Sequence, residues 1–232
     1  MYDVAVIGCG VIGAAAAHAL AQYRCRTVIL EAENDVSTVT TRANSGILHT
    51  GYDPKPGTWA ARLNPEGARM AKELCAQLDV PIHVCGSLVL ALAPEELPHL
   101  QQLYDYGMAN GVTDLQLLSP DEVLAMEPAV SPSVAGALYA PGTAVINPWE
   151  YTLALAETAV KNGVELRRRS PVTAIESAGD HWVLTTPEGP VEARFVVNAA
   201  GLGAEALHNM VAAPCFKTTP SRGEYYLLDK SE

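Results

Sequence analysis

The pattern of apolar and polar positions divides the chain into short segments. Val4-Ala5-Val6-Ile7 is an unbroken apolar run, the length of a strand covered on both faces. After Gly8-Cys9-Gly10 comes Val11 to Ala21, Ala-rich with one strongly polar residue, His18, which reads as a helix. Thr27 to Leu30 is a second apolar run, closed by Glu31. Residues 34–44 are rich in Thr and Ser without an apolar period, hence a loop. Ala68, Ala71, Leu74 and Leu78 recur at helical spacing and predict an amphipathic helix over Asn64–Leu78, stopped by Pro81. Ile82 to Leu92 alternates and predicts two strands broken at Gly86. A helix should run from Pro94 to Asn110-Gly111, and a short one should start at Ser119-Pro120, cap and first position. Strand Gly136–Tyr139 and a helix from Asn147-Pro148 to Lys161 follow. Four strands are then expected, at 164–168, 172–176, 181–185 and 191–198, and a last one over Thr219–Asp229.

A strand, helix and strand at the start, with strands again near 200, predict an α/β fold with a Rossmann-like nucleotide-binding domain. The expected division is discontinuous. Residues 1–80 and 140–212 form that domain, and 81–139 with 213–232 form part of an inserted α+β substrate domain. A fresh strand near residue 225 is costly as a lone edge, so a further C-terminal segment or a partner subunit is expected to complete it.

At 49% hydrophobic and 18% charged, 232 residues are enough to bury a full core. The net charge of −11 disfavours nucleic acid and acidic membrane surfaces, though local arginines leave a small anionic ligand open. The run Val4–Ala21 is apolar enough to suggest a membrane span, but its three spaced glycines and the missing basic flank argue against that. Five scattered cysteines without a Cys-x-x-Cys fit a reducing cytoplasm and draw no zinc or iron–sulfur site.

The chemistry starts at the first turn. Gly8, Gly10 and Gly13 have the Gly-x-Gly-x-x-Gly spacing of a dinucleotide fingerprint. The first glycine allows a tight turn, the second lets backbone approach a pyrophosphate, and the third lets the helix pack close to the strand. The anion sits on the helix N-terminus. Glu31, about 20 residues on, stands where a carboxylate accepts from ribose hydroxyls and disfavours a 2′-phosphate, so NAD or FAD is expected rather than NADP.

Three separated signals resemble the FAD-dependent oxidoreductases of the D-amino-acid-oxidase superfamily, with glutathione-reductase-type FAD binding. They are the fingerprint with Glu31, the run Thr41-Arg42-Ala43-Asn44-Ser45-Gly46-Ile47-Leu48-His49-Thr50-Gly51, and the run Asn198-Ala199-Ala200-Gly201-Leu202-Gly203. Asn44-Ser45-Gly46 with His49 and Gly51, then Lys55-Pro56-Gly57 and Ser221-Arg222-Gly223-Glu224-Tyr225-Tyr226, are similar to the glycerol-3-phosphate dehydrogenase/oxidase and L-2-hydroxyglutarate oxidase branch. The resemblance implies FAD contacts from Gly8, Gly10, Val11, Ile12, Gly13, Glu31, Ala32, Thr41, Arg42, Asn44, Ser45, Gly46, Val172, Ala199, Ala200 and Gly201. It also implies oxidation of a small anionic secondary alcohol, glycerol 3-phosphate first and L-2-hydroxyglutarate as the rival, with an amine third. A different class stays open: a catalytically incomplete nucleotide-binding fragment, since members of the family continue well past this length.

Oxidising an alcohol on a flavin needs a base for the hydroxyl proton, and a histidine suits that task. By the resemblance His49 lies beside the flavin, where three roles are open: the base, a structural hydrogen-bond partner, or a covalent flavin link. Arg222 offers a fork to phosphate or carboxylate, against a surface ion pair with Glu224. Lys55 is a second cation candidate, and Arg167-Arg168-Arg169 reads as a solvated face. Of Tyr225 and Tyr226, on opposite faces of the expected strand, one can line a pocket.

Overall fold

The computed structural model describes residues 1–224. In chain order its elements are β1 (Tyr2–Ile7), α1 (Val11–Leu20), β2 (Thr27–Leu30), β3 (Ile47–Leu48), α2 (Trp59–Gln77), β4 (Ile82–Val84), β5 (Ser87–Ala91), α3 (Leu97–Ala109), β6 (Gln116–Leu118), α4 (Pro120–Met126), β7 (Gly136–Ala140), β8 (Ala144–Ile146), α5 (Pro148–Lys161), β9 (Glu165–Arg167), β10 (Ala174–Ser177), β11 (Trp182–Thr186), β12 (Gly189–Asn198) and α6 (Ala204–His208). They form two compact units, residues 1–44 with the chain from Pro148 onward, and residues 45–147. The division expected near 80 and 140 differs from this. Ile47 pairs with Val145 and Ile82 with Ile146, so β8 gathers β3 and β4 around itself and draws residues 45–80 into the second unit. Such non-local pairings leave no mark in local periodicity.

The first unit is built on a six-stranded sheet in the order β10-β11-β12-β1-β2-β9. β1 pairs in parallel with β12 and β2, and β2 with β9, while β10 and β11 add an antiparallel hairpin. The chain leaves β1 through α1 toward β2 and β9, then returns as β12 on the other side of β1. The carboxyl end of β1 is therefore a switch point of strand order, where ligands of open α/β sheets bind. α1 and α5 pack on each other, and the buried face of α1 is made of Gly13, Ala14 and Ala17, small enough for close approach. Ala5, Ile7, Val28, Leu30 and Leu184 belong to one core cluster. Burying each large apolar side chain of such a core contributes about 1.5–3 kcal/mol.

At the far end of β1, Tyr2 reaches across β2. Its phenol donates to Glu165 Oε2 at 2.5 Å and accepts from Arg167 Nη2 at 2.9 Å, while Arg167 Nε donates to Glu165 Oε1 at 2.8 Å. This triad ties the short edge strand β9 to the sheet's middle.

The second unit holds two antiparallel three-stranded sheets, β3-β8-β4 and β5-β7-β6. α3 packs on the latter, and Gly107 lets the helix come close to Leu115 and Tyr52: a Cβ there would stand 2.2 Å from Leu115 Cδ1 and 3.1 Å from Tyr52 Cβ. α2 begins five residues before the expected Asn64. The cap is Thr58, whose hydroxyl accepts from Ala61 N–H at 3.2 Å, and Pro65 lies inside the helix. Its ring packs against Gly51, where a Cβ would come within 2.6 Å of Pro65 Cγ.

Thr219–Glu224 has no regular secondary structure, contrary to the strand expected there, and among the described residues no sheet takes it as a neighbour. The remainder of that strand, with Tyr225 and Tyr226, lies outside the described residues.

Candidate functional site

The fingerprint residues meet at the carboxyl end of β1. Gly8 continues the sheet by donating its N–H to Leu30 O at 2.9 Å, then turns with φ +94°, a conformation suited to glycine. A Cβ on Gly8 would stand 2.7 Å from Ala199 O, and one on Gly13 would stand 1.9 Å from Gly8 O. Gly10 caps α1 without a side chain of its own. Thr41 supplies the missing oxygen: its hydroxyl accepts from Val11 N–H at 3.1 Å and lies 2.9 Å from where a Gly10 Cβ would be.

Glu31 is buried and held on both oxygens. Oε2 accepts from Cys9 N–H at 2.6 Å, inside the fingerprint turn, and Oε1 accepts from Glu33 N–H at 2.8 Å. A carboxylate has about four acceptor positions, so both oxygens keep capacity for further donors. Behind it, Ser170 N–H donates to Glu31 O and Arg169 N–H to Glu33 O, each at 2.8 Å, which locks the loop after β2 to the loop after β9. Ser37 donates its N–H to Cys9 O at 3.0 Å and leaves a buried hydroxyl without a partner beside the same turn. The Cys9 thiol is pushed up to about 12, chiefly by burial and then by the charges of Glu31 and Asp35, so it is an inert filler of the turn.

This donor set fits an adenosine diphosphate: bare backbone at a helix N-terminus for phosphate, and a fixed carboxylate about one strand away for ribose hydroxyls. Among the described residues no cluster of three His, Cys, Asp or Glu side chains could hold a metal ion, and no helix is long and apolar enough to cross a membrane.

The expected residues divide between the two units. Gly8, Gly10, Val11, Gly13, Glu31 and Thr41 come together as described. Ala199 joins them, its N–H donating to Ile7 O at 2.9 Å, and Ala200 and Gly201 continue from it into a 3-10 turn over Gly201–Gly203. Asn44 bonds the Thr41 carbonyl through its side-chain amide. Ile12, Ala32 and Arg42 are exposed, and Val172, just before β10, packs on the first unit's core. Ser45, Gly46 and His49 belong to the second unit. There Gly46 O accepts from Ile146 N–H at 2.9 Å, and His49 follows β3 with its side chain exposed. Arg222 is paired with Glu224 at 3.2 Å, both side chains largely in solvent, which is the surface ion pair weighed against a ligand role. Sequence reasoning missed Ser37 and the N–H groups of Cys9 and Glu33, because backbone donors and a loop serine carry no motif.

The family model for FAD dependent oxidoreductases matches residues 3–232. A glycerol 3-phosphate dehydrogenase of Caloramator mitchellensis is 46% identical over 231 residues, which is 100% of this chain and 48% of that protein. The human mitochondrial L-2-hydroxyglutarate dehydrogenase is 29% identical, over 98% of this chain and 52% of its own. Among solved structures, L-alpha-glycerophosphate oxidase of Mycoplasma pneumoniae with FAD bound superposes with a TM-score of 0.85 at 30% identity, covering 90% of this chain and 56% of that one. The chain thus spans about half the length of these relatives.

Proposed function

The chain belongs to the FAD-dependent oxidoreductase family, and on that premise we propose that its first unit holds the adenosine diphosphate half of FAD in a protein that oxidises glycerol 3-phosphate to dihydroxyacetone phosphate. The observation that carries the cofactor half is the buried Glu31 carboxylate, pinned by Cys9 N–H within the glycine turn. The substrate rests on the 46% identity to the Caloramator glycerol 3-phosphate dehydrogenase over the whole of this chain.

When bound, FAD supplies the acceptor for the hydride leaving the carbinol carbon. The chain's own residues supply the rest. Val11 N–H and the first turn of α1 meet the pyrophosphate, and Glu31 accepts from the ribose. His49, through an imidazole nitrogen, takes the proton of the substrate hydroxyl. Arg222 offers the cation for the substrate phosphate; its present partner is an exposed carboxylate, and an exposed pair of this kind is worth about 0–1 kcal/mol, which a phosphate can displace.

The twofold greater length of the relatives supports a further segment or partner that completes the substrate side. The five unpaired cysteines support a cytoplasmic setting. A second reading, oxidation of L-2-hydroxyglutarate, is favoured by the likeness to the human dehydrogenase. A third, a nucleotide-binding fragment without chemistry of its own, also rests on the chain's share of its relatives. Anaerobic absorption spectra of the FAD-loaded protein separate them. Bleaching of the flavin band by glycerol 3-phosphate supports the first, bleaching only by L-2-hydroxyglutarate supports the second, and a flavin reduced by neither leaves the third.

A further inference from the structure

We propose that the bare face of β12 is a docking surface for a helix, carried by the stretch of polypeptide that the relatives have beyond the half this chain matches. The inference rests on the greater length of those relatives and does not depend on the cofactor or substrate reading.

β12 lies inside the sheet, between β11 and β1. Where it runs beside β1 its sequence is apolar on both faces, with Phe195, Val196 and Val197 consecutive. Such a run belongs to a parallel strand covered from both sides. One side is covered. Val196 packs against the core cluster of Ala5, Ile7, Val28 and Leu30, and α6, packed on β12, adds Leu207 to it.

The other side is open. α1 packs on β1 and β2 and contributes nothing to that cluster, so it covers the opposite face, which holds Val4, Val6, Thr27 and Ile29. Phe195 stands beside Val4, and Val197 beside Val6, on this same face. One row across three neighbouring strands thus reads Thr27, Val4, Phe195, and these residues are 2%, 8% and 64% exposed. The cover stops between β1 and β12. Strands lie about 4.8 Å apart and a helix is about 10 Å across, so a helix over β1 and β2 leaves β12 a place for the next one.

A second copy of the chain suits this strip poorly, because a stable interface buries about 800 Å² on each partner and the strip is one strand wide. A segment of the same polypeptide needs less area, since its tether removes most of the entropy cost of association. The Caloramator dehydrogenase matches all of this chain with 48% of its own length, which leaves the remainder as the source of the helix.

Phe195→Cys reports on the open face, and Glu192→Cys, exposed on the opposite face of the same strand, is the control. Each is made in the 232-residue chain, and in that chain joined in native order to the part of the Caloramator dehydrogenase that it does not match. Labelling by a maleimide is followed at each position by peptide mass spectrometry, so the native cysteines do not interfere. In the 232-residue chain both positions should label at similar rates. In the joined protein Phe195→Cys should label at least about tenfold more slowly, as a position reached only by local opening does, while Glu192→Cys keeps its rate. Equal rates for Phe195→Cys in the two proteins, or equal protection at both positions, overturn the proposal. Phe195→Glu in the 232-residue chain is a second test that needs no joined protein. It should lower the melting temperature by no more than about 2 °C, as a solvent-facing substitution does, and leave sedimentation unchanged. A larger fall means that Phe195 is already packed, and a dimer of the parent that Phe195→Glu dissociates means that a second copy is the occupant; either result overturns the proposal. None of these measurements needs bound FAD or turnover, so they stand or fall apart from the proposed function.

Discussion

Replacing Glu31 by Gln keeps the size of the side chain and removes one acceptor oxygen. In the folded chain both oxygens are used, on Cys9 N–H at 2.6 Å and Glu33 N–H at 2.8 Å, in a side chain buried from water. The amide group of a glutamine has to face one of those two donors, so one bond is lost and a donor is set against a donor. A hydrogen bond to a charged group contributes about 1.5–3 kcal/mol, and leaving a buried donor unmet adds about 1–3 kcal/mol, partly relieved by rotation of the new side chain. A net loss of about 2–3 kcal/mol is expected for the free protein. At this chain length each kcal/mol shifts the melting temperature by about 2–4 °C, so Glu31→Gln should melt about 4–12 °C lower. FAD affinity should fall as well, since the ribose loses a charged acceptor. Urea unfolding of the ligand-free protein, followed by circular dichroism, measures the first effect, and FAD titration measures the second. Free-protein stability within 0.5 kcal/mol of the parent would refute the assignment of Glu31 as a clamp on the fingerprint turn, whatever happened to FAD.

Gly13→Ala places a Cβ 1.9 Å from Gly8 O, and α1 has to move outward from β1. Overpacking of about 1–3 kcal/mol or more exceeds the helix-propensity gain of about 1 kcal/mol, so denaturant melts should show a less stable protein that also binds ADP less well. The Tyr2 triad shapes the pH dependence of stability. The Glu165 carboxyl is held below its usual value, first by the Tyr2 hydroxyl and then by Arg167. Its contribution is present above about pH 4.3 and is lost as pH falls through the lowered folded value. The Tyr2 phenol is raised, first by burial and then by its bond to Glu165, so its contribution is present below about pH 10 and is lost as pH rises through the raised folded value. Tyr2→Phe should therefore flatten both limbs of a plot of melting temperature against pH, and an unchanged acid limb would count against the triad. Cys9 and Cys75 are buried and Cys85 and Cys215 exposed, so an aromatic disulfide reagent at pH 8 should label the exposed pair in the native protein and reach Cys9 only after unfolding.

The first unit was legible because its signals are local. Continuous apolar strands, a glycine turn, an Ala-rich helix and an acid at the end of β2 each follow from neighbouring residues. The switch point at β1 follows from their order. The second unit was read less well, for physical reasons that recur in it. β3, β6 and β8 are two or three residues long, too short to show a period, and they exist because β7 and β8 gather distant partners. The start of α2 lies five residues before the one its apolar spacing predicts, because the cap is Thr58 and the first turn ahead of Asn64 carries no apolar period of its own. At the site, residue types with a motif were found, while Ser37 and the N–H groups that clamp Glu31 depend on how the loop after β2 folds back on the turn.

The central claim is that residues 1–44 and those from Pro148 onward hold the adenosine diphosphate half of FAD. Ultrafiltration of the purified chain with FAD, FMN and ADP tests it directly. One equivalent of FAD should be retained, displaced by excess ADP, with little FMN bound. Equal retention of FMN and FAD, or no retention of FAD at all, would contradict the account.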